Sequence, residues 1–177
     1  EKKSFDIADV INSLNEKLIF RHPHIYGNVE VKDEEEVKQN WEKLKLKEGN
    51  KSILAGVPKS LPPIIKAYRI QEKVKGIGFE FASAEDAWKK VDEELAEFHA
   101  ETNTEKKEQE LGDVFFSLIN YARISGLNAD SALERTNLKF IKRFQTLEKL
   151  ALEKNLNLAE MSLEEMDILW EEAKKTV

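Results

Sequence analysis

The sequence predicts an all-α fold, an antiparallel four-helix-bundle-like domain with extra helices at its amino-terminal end. The 177 residues contain only 7 glycines and 4 prolines, which favours long elements over many turns. Apolar residues recur at spacings of three and four, and no segment alternates apolar and polar residues over the length of a strand. Four helices are predicted after residue 80, enough to form a bundle.

The amino-terminal part of the chain is predicted to form two helices and a connector. Residues 4–6 can cap the first helix, whose apolar stripe is Ile7, Val10, Ile11, Leu14 and Leu18. A loop over residues 21–27 ends it, and a charged helix follows over residues 33–46. Residues 49–63 contain Gly56, Pro58, Pro62 and Pro63 and are typical of a connector. We therefore place a domain boundary here, between residues 1–48 and 49–177.

The carboxy-terminal part is predicted to contain five helices. Pro62 and Pro63 can start the first, which runs to about residue 75. Ser83 caps the second, which breaks near residues 102–104 and carries Trp88 as a predicted core residue. The third covers residues 105–124, and the fourth extends to about residue 153. Ser162 caps the last, which ends near residue 175.

Charge and composition exclude several classes of function. The net charge of −6 argues against a nucleic-acid partner, because binding to phosphate backbones requires a basic surface. A phosphorylated ligand can still bind if divalent cations lie between it and the protein. The absence of cysteine removes thiolate chemistry and fits a reducing cytoplasm. No apolar run approaches the length of a membrane span, and no signal-peptide pattern is present, so we expect a cytoplasmic protein.

Two pairs of carboxylates indicate a metal site. Glu94 and Glu97 are three residues apart and share one helix face, and Glu110 and Asp113 repeat this spacing on the next helix. The short connection favours an antiparallel hairpin in which the pairs face each other. Oxygen ligands of this kind suit Mg²⁺ or Mn²⁺.

A solvated acidic face is the alternative interpretation. The spacing E-x-x-D also occurs at residues 30–33 and 164–167, so either half of the motif can arise by chance. The metal interpretation is favoured by a polar stripe that crosses otherwise apolar surroundings, formed by Lys106, Glu110, Asp113, Ser117 and Asn120. Lys139 and Arg143, four residues apart beside Phe140 and Phe144, are either a phosphate-binding pair or surface cations that extend over the core.

Several segments, in order, resemble the MazG family of all-α nucleoside triphosphate pyrophosphohydrolases. They are GVPKSLPPIIKAYRIQEKVKGIGFEF, then EELAE followed after twelve residues by ELGD, then NLKFIKRF, and finally ILWEEAK with Trp170. The first residues, DVINSLNEKLIFRHPHIYG, resemble the end of the family's first domain, whose own acidic motif lies upstream. We therefore expect residues 1–48 to be a remnant of that domain and its linker helix, with the RHPH histidines as a packing motif.

The resemblance implies that nucleoside triphosphates, ribo- and deoxyribo-, are hydrolysed to the monophosphate and pyrophosphate. It implies that Glu94, Glu97, Glu110 and Asp113 hold Mg²⁺, with Mn²⁺ as a substitute, and form the catalytic set. Lys106, Lys139 and Arg143 would bind phosphate oxygens. Asn120 would bind sugar hydroxyls or orient a carboxylate, and Trp170 would stack on the base or close the last helix.

The resemblance also implies a homodimer, broad base specificity and a role in clearing surplus or abnormal nucleotides. Two other functions remain open. The chain is either a non-catalytic helical interaction module, in which the acids only solubilise the surface, or a narrower pyrophosphohydrolase of the same fold that acts on dUTP or dCTP.

Overall fold

The computed structural model describes residues 5–33, 36–37, 40–41, 44 and 52–176. Within these residues the structure is helical, without strands, and the predicted all-α class is confirmed. Two 3-10 turns lie at Ile53–Gly56 and Leu158–Glu160. The helices whose bounds are described are α1 (Ile7–Arg21), α2 (Pro23–Tyr26), α3 (Pro63–Lys75), α4 (Ala84–Ala100), α5 (Thr104–Ile124), α6 (Ala129–Glu153) and α7 (Leu163–Thr176).

Side-chain caps begin most of these helices. Asp6 and Asp9 form a reciprocal capping box at α1, in which each carboxylate accepts the other residue's backbone N–H at 2.9 Å. Ser83 Oγ accepts the backbone N–H of Asp86 at 3.1 Å and begins α4. Asparagine caps at positions 103 and 128 begin α5 and α6 in the same way. The caps satisfy backbone donors that have no partner inside the helix, and therefore fix where each helix begins.

The chain divides into two compact units, residues 1–125 and 126–177. In the first unit, α5 packs against both α4 and α3. Its buried apolar residues are Ala67, Ala87, Val91, Val114 and Ile119. In the second unit, α6 packs against α7 around Leu147, Ala151, Leu169 and Ala173.

The apolar stripe of α1 is exposed, and none of the residues of this helix is buried. The expectation that Trp88 is a core residue is wrong. Trp88 is 43% exposed, with its ring edge-on to Tyr121 at 4.8 Å between centroids. The small side chains of Ala87 and Val91 fill the buried face of α4 instead, which leaves the larger indole at its margin.

The predicted helix over residues 33–46 lies largely outside the described residues. The predicted division at residues 48 and 49 also falls outside them, and stays a prediction. Across the described part of the chain, no helix combines the length and apolar character that crossing a bilayer requires.

Candidate metal centre

The hairpin of α4 and α5 positions the acidic side chains. Residues 101–103 join the two helices, and the Glu101 carboxylate accepts the backbone N–H groups of Thr102 and Asn103 at 2.8 Å. The hydrogen bond from the Asn103 backbone lowers the pKa of Glu101, and so does the bond from Thr102. This short, hydrogen-bonded turn makes the helices antiparallel neighbours, so that residues near its two ends face each other.

Three of the four predicted ligands come together. Glu94, Glu97 and Glu110 each offer a carboxylate oxygen, and these oxygens lie within 4.8 Å of one another. Glu94 is only 7% exposed, Glu110 is half-buried and Glu97 is exposed. The two halves of the hairpin therefore contribute to one acidic cluster, defined here as Glu94, Glu97 and Glu110.

Asp113 lies outside this cluster, as an exposed residue one turn beyond Glu110. Its charge still acts on the cluster. Desolvation raises the pKa of Glu110, and the charges of Glu97, Asp113, Glu94 and Glu101 raise it further. The negative charges thus oppose one another, as expected for carboxylates that converge.

The acidic cluster fits a hard divalent cation. Its donors are carboxylate oxygens from two packed helices, the ligand type that Mg²⁺ and Mn²⁺ prefer. A cation would offset the repulsion that raises the pKa of Glu110. Glu164 and Asp167, which have the same E-x-x-D spacing, do not resemble the acidic cluster, because both acids are exposed on the first turns of α7.

Lys90 is part of this site and was missed in the sequence. Its Nζ donates to Glu93 Oε1 and to Glu94 Oε1, both at 2.8 Å. The hydrogen bonds to Glu93 and Glu94 raise the pKa of Lys90, which stays charged. Its position three and four residues before two acids could have revealed the contact, since such residues share a helix face.

The other predicted residues of the first unit occupy the same helix, α5. Lys106 is exposed in its first turn, one turn before Glu110. Asn120 is half-buried, and its Oδ1 accepts a hydrogen bond from Arg123 Nη2 at 2.8 Å. Ser117, between them, is buried and donates to the Val114 carbonyl at 3.1 Å. The polar stripe therefore becomes buried along α5.

Lys139, Arg143 and Trp170 belong to the second unit. Lys139 is exposed on α6, and Arg143 is half-buried on the same helix. Trp170, on α7, contacts Phe140, with 5.1 Å between ring centroids. Trp170 also packs against the buried cluster of the second unit.

Glu110→Gln should stabilise the metal-free protein at neutral pH. Because the pKa of Glu110 is raised on folding, the folded state binds this proton more tightly than the unfolded state. The corresponding stability is present below the unfolded value of about 4.5 and is lost as the pH rises through the raised folded value. We expect urea unfolding to give the variant the larger free energy of unfolding at pH 7, with the difference shrinking towards pH 4.

Glu148→Gln, an exposed substitution on α6, is the matched control and should leave the free energy of unfolding nearly unchanged. A Glu110→Gln protein that is less stable than the wild type at pH 7 would contradict the repulsion at the cluster.

Comparison with known proteins places the same hairpin within a family domain. The MazG nucleotide pyrophosphohydrolase domain matches residues 84–147, a segment that contains α4 and α5. The chain is similar to the nucleoside triphosphate pyrophosphohydrolase/pyrophosphatase MazG of Thermotoga maritima, with 37% identity over 98% of this chain and 68% of the relative.

The chain is also similar to the nucleoside triphosphate pyrophosphohydrolase of Escherichia coli K12, with 32% identity over 99% of this chain and 70% of that protein. It is similar to protein YabN of Bacillus subtilis as well, with 44% identity over 97% of this chain, although the match covers only 37% of that protein. With relatives matched along nearly its full length and its acidic hairpin inside the family domain, this chain is a member of the MazG family.

Proposed function

We propose that this protein hydrolyses nucleoside triphosphates to nucleoside monophosphates and pyrophosphate with Mg²⁺, for which Mn²⁺ can substitute. The observation that carries the proposal is the acidic cluster, in which oxygens from both helices of the hairpin lie within 4.8 Å. Family membership supports it, since the relatives from Thermotoga maritima and Escherichia coli are named for this activity.

The acidic cluster would hold the metal, and Asp113 would complete the ligand set from the next turn of α5. When bound, the metal supplies positive charge against the triphosphate and acidifies a coordinated water. The contribution of the protein is to hold the ligand oxygens in place. The buried position of Glu94 and its bond to Lys90 at 2.8 Å support such a fixed geometry.

Proton transfer and phosphate binding require further groups besides the acidic cluster. Glu93 or Glu94 would orient the attacking water or accept its proton, and both lie against Lys90. Lys106 would bind phosphate oxygens from the first turn of α5, and Asn120 would bind sugar hydroxyls or orient a carboxylate. We assign Lys139 and Arg143 to phosphate binding and leave Trp170 as a base-stacking or packing residue.

We further propose a homodimer in the cytoplasm that acts on nucleotides of several bases and thereby clears surplus or abnormal ones. Exposed apolar residues on α6 support self-association, because a monomer rarely leaves so many together. They are Leu133, Leu138, Phe140, Ile141 and Phe144. Sedimentation velocity tests the oligomeric state.

A panel of nucleoside triphosphates with separate assays for pyrophosphate and orthophosphate tests the activity. We expect pyrophosphate from all four bases, in ribo- and deoxyribo- forms, with kcat/KM values within about tenfold, since small pocket differences discriminate about that much. Activity on dUTP or dCTP alone would instead establish the narrower enzyme. If no nucleotide yields pyrophosphate, the non-catalytic helical interaction module is the function that remains.

The melting temperature provides a second test that does not depend on turnover. Mg²⁺ at about 100 times its Kd stabilises a folded protein by about 2.7 kcal/mol, which corresponds to roughly 5–10 °C for a chain of this size. Glu97→Ala should lose this rise. Glu164→Ala, the control from the exposed E-x-x-D pair on α7, should retain it. Equal rises in melting temperature for the two variants would exclude the metal site.

A further inference from the structure

A positive charge lies directly against the acidic cluster. Lys90 Nζ donates to Glu94 Oε1 at 2.8 Å, and Glu94 is the buried member of the cluster. Of the ion pairs that join described residues, the pair of Lys90 and Glu94 is the one that reaches the cluster. Any cation that binds there therefore meets the charge of Lys90.

The helix holds Lys90 in this position. Lys90 precedes Glu93 by three residues and Glu94 by four, so that the three side chains share one face of α4. Its ammonium lies 2.8 Å from a carboxylate oxygen of each, and its side chain is only 36% exposed. An ammonium has three donors, enough to bond both carboxylates at once. The charge of Lys90 is thus fixed beside the buried carboxylate of Glu94.

This charge opposes the binding of a lone metal ion. The three carboxylates of the acidic cluster and that of Glu93 face one ammonium, so the site still attracts cations, but less strongly than the acids alone would. An ammonium and a divalent cation that share one carboxylate are closer than the Debye length of about 8 Å at physiological salt. Dissolved ions therefore screen their repulsion only in part.

The same charge has the opposite effect on a metal–triphosphate complex. A triphosphate that carries one divalent cation remains an anion, and Lys90 attracts an anion. Replacement of the free ion by the complex therefore turns a repulsion into an attraction. The charge of Lys90 distinguishes the two forms in which the metal can reach the site.

We infer that Lys90 is an internal counter-cation that keeps the affinity of the acidic cluster for free Mg²⁺ or Mn²⁺ low, so that the metal enters mainly together with the nucleotide. The inference rests on the proposed function for the identity of that nucleotide. Lys90 is a positioning residue with two effects. Its hydrogen bond orients the Glu94 carboxylate, and its charge selects the loaded nucleotide over the lone ion.

Binding of Mn²⁺ to the intact chain without nucleotide, measured by electron paramagnetic resonance, tests the inference. Lys90→Met should lower the Kd for Mn²⁺ by at least about tenfold, because a like charge at this range weakens binding by at least that much. Disorder at Glu94 would raise the Kd instead, so the sign separates the charge effect from structural damage. Lys90→Gln, which keeps a donor, should lower the Kd as well, whereas Lys90→Arg, which keeps the charge, should not.

Lys89→Met is the matched control. Lys89 is the neighbouring residue on α4 and forms an ion pair of the same kind, with Asp86 at 2.8 Å, but its side chain is 74% exposed. Because exposed ion pairs contribute little, this variant should keep the Kd for Mn²⁺ within about twofold of the wild-type value. In about 1 M KCl, where the Debye length is about 3 Å, the gain from Lys90→Met should shrink.

A nucleotide that resists hydrolysis tests the preference for the complex. In α,β-methylene-ATP a carbon atom bridges the α- and β-phosphates, so its Mg²⁺ complex binds without turnover. Lys90→Met should bind this complex no more tightly than the wild type does, in contrast to its gain for free Mn²⁺. Tighter binding of both ligands, or of neither, in Lys90→Met and Lys90→Gln overturns the inference.

The inference and the proposed function fail separately. Equal Kd values for Mn²⁺ in the wild type and both neutral variants, in a protein that releases pyrophosphate, leave the enzyme standing and remove the role of Lys90. Tighter Mn²⁺ binding by both neutral variants, in a protein that releases pyrophosphate from no nucleotide, leaves the effect of Lys90 on the metal standing and removes the enzyme.

Discussion

Glu94→Gln should lower kcat/KM for pyrophosphate release by at least about 100-fold, because even outer partners of metal ligands are worth 10–100-fold. Glu94 is the buried member of the acidic cluster, and its carboxylate forms an ion pair with Lys90. Glutamine keeps the size of the side chain but removes the charge that would hold the cation. Initial rates of pyrophosphate release over a range of Mg²⁺ concentrations would measure the loss and show whether more metal restores activity.

Asp92→Asn is the matched control, an exposed acid on the same helix that takes no part in the cluster. It should retain the wild-type rate. Glu93→Gln then identifies the group that handles the proton: a loss as large as that of Glu94→Gln would assign the role to Glu93. Wild-type activity in Glu94→Gln would contradict the metal centre itself.

Arg123→Met should lower the free energy of unfolding by about 3 kcal/mol, since breaking a buried ion pair leaves an uncompensated charge. Arg123 contacts Glu72, Glu80 and Asn120 from α3, the following loop and α5. Its removal would leave the partly buried carboxylates of Glu72 and Glu80 without this guanidinium. The melting temperature should fall by roughly 10 °C at 2–4 °C per kcal/mol.

Arg135→Met, an exposed substitution on α6, is the control and should stay within about 0.5 kcal/mol of the wild type. Arg123→Lys should fall in between, because lysine keeps the charge but lacks the planar fork. Adding Glu80→Gln to Arg123→Met should recover part of the loss. If Arg123→Met unfolds like the wild type, the buried network does not stabilise the first unit.

The helices and the acidic hairpin were predictable because they depend on local information. Ser83 and Ser162 mark helix starts through side-chain bonds to backbone groups within three residues. The spacing of Glu94 and Glu97 places both on one face whatever the rest of the chain does. The acidic cluster follows once a three-residue turn makes the two helices neighbours.

Burial was less predictable, because it depends on which faces find a partner. The stripe from Ile7 to Leu18 has a helical period but remains exposed. On α4, Ala87 and Val91 are buried, whereas Trp88 is exposed. Periodicity identifies a face that can be buried, whereas the partner helix decides whether it is. Asp113 illustrates the same limit: it has the i+3 spacing from Glu110 that predicts a shared helix face, but it lies outside the acidic cluster.

The sequence by itself determined the helical class, the positions of the helix starts and the pairing of acids across one hairpin. These features arise from contacts within a few residues. Only the tertiary structure decided that Gln71, Glu80 and Arg123 would line one pocket of the first unit. These residues are separated by up to fifty-two positions and carry no common spacing, so only the packing of α3 on α5 brings them together.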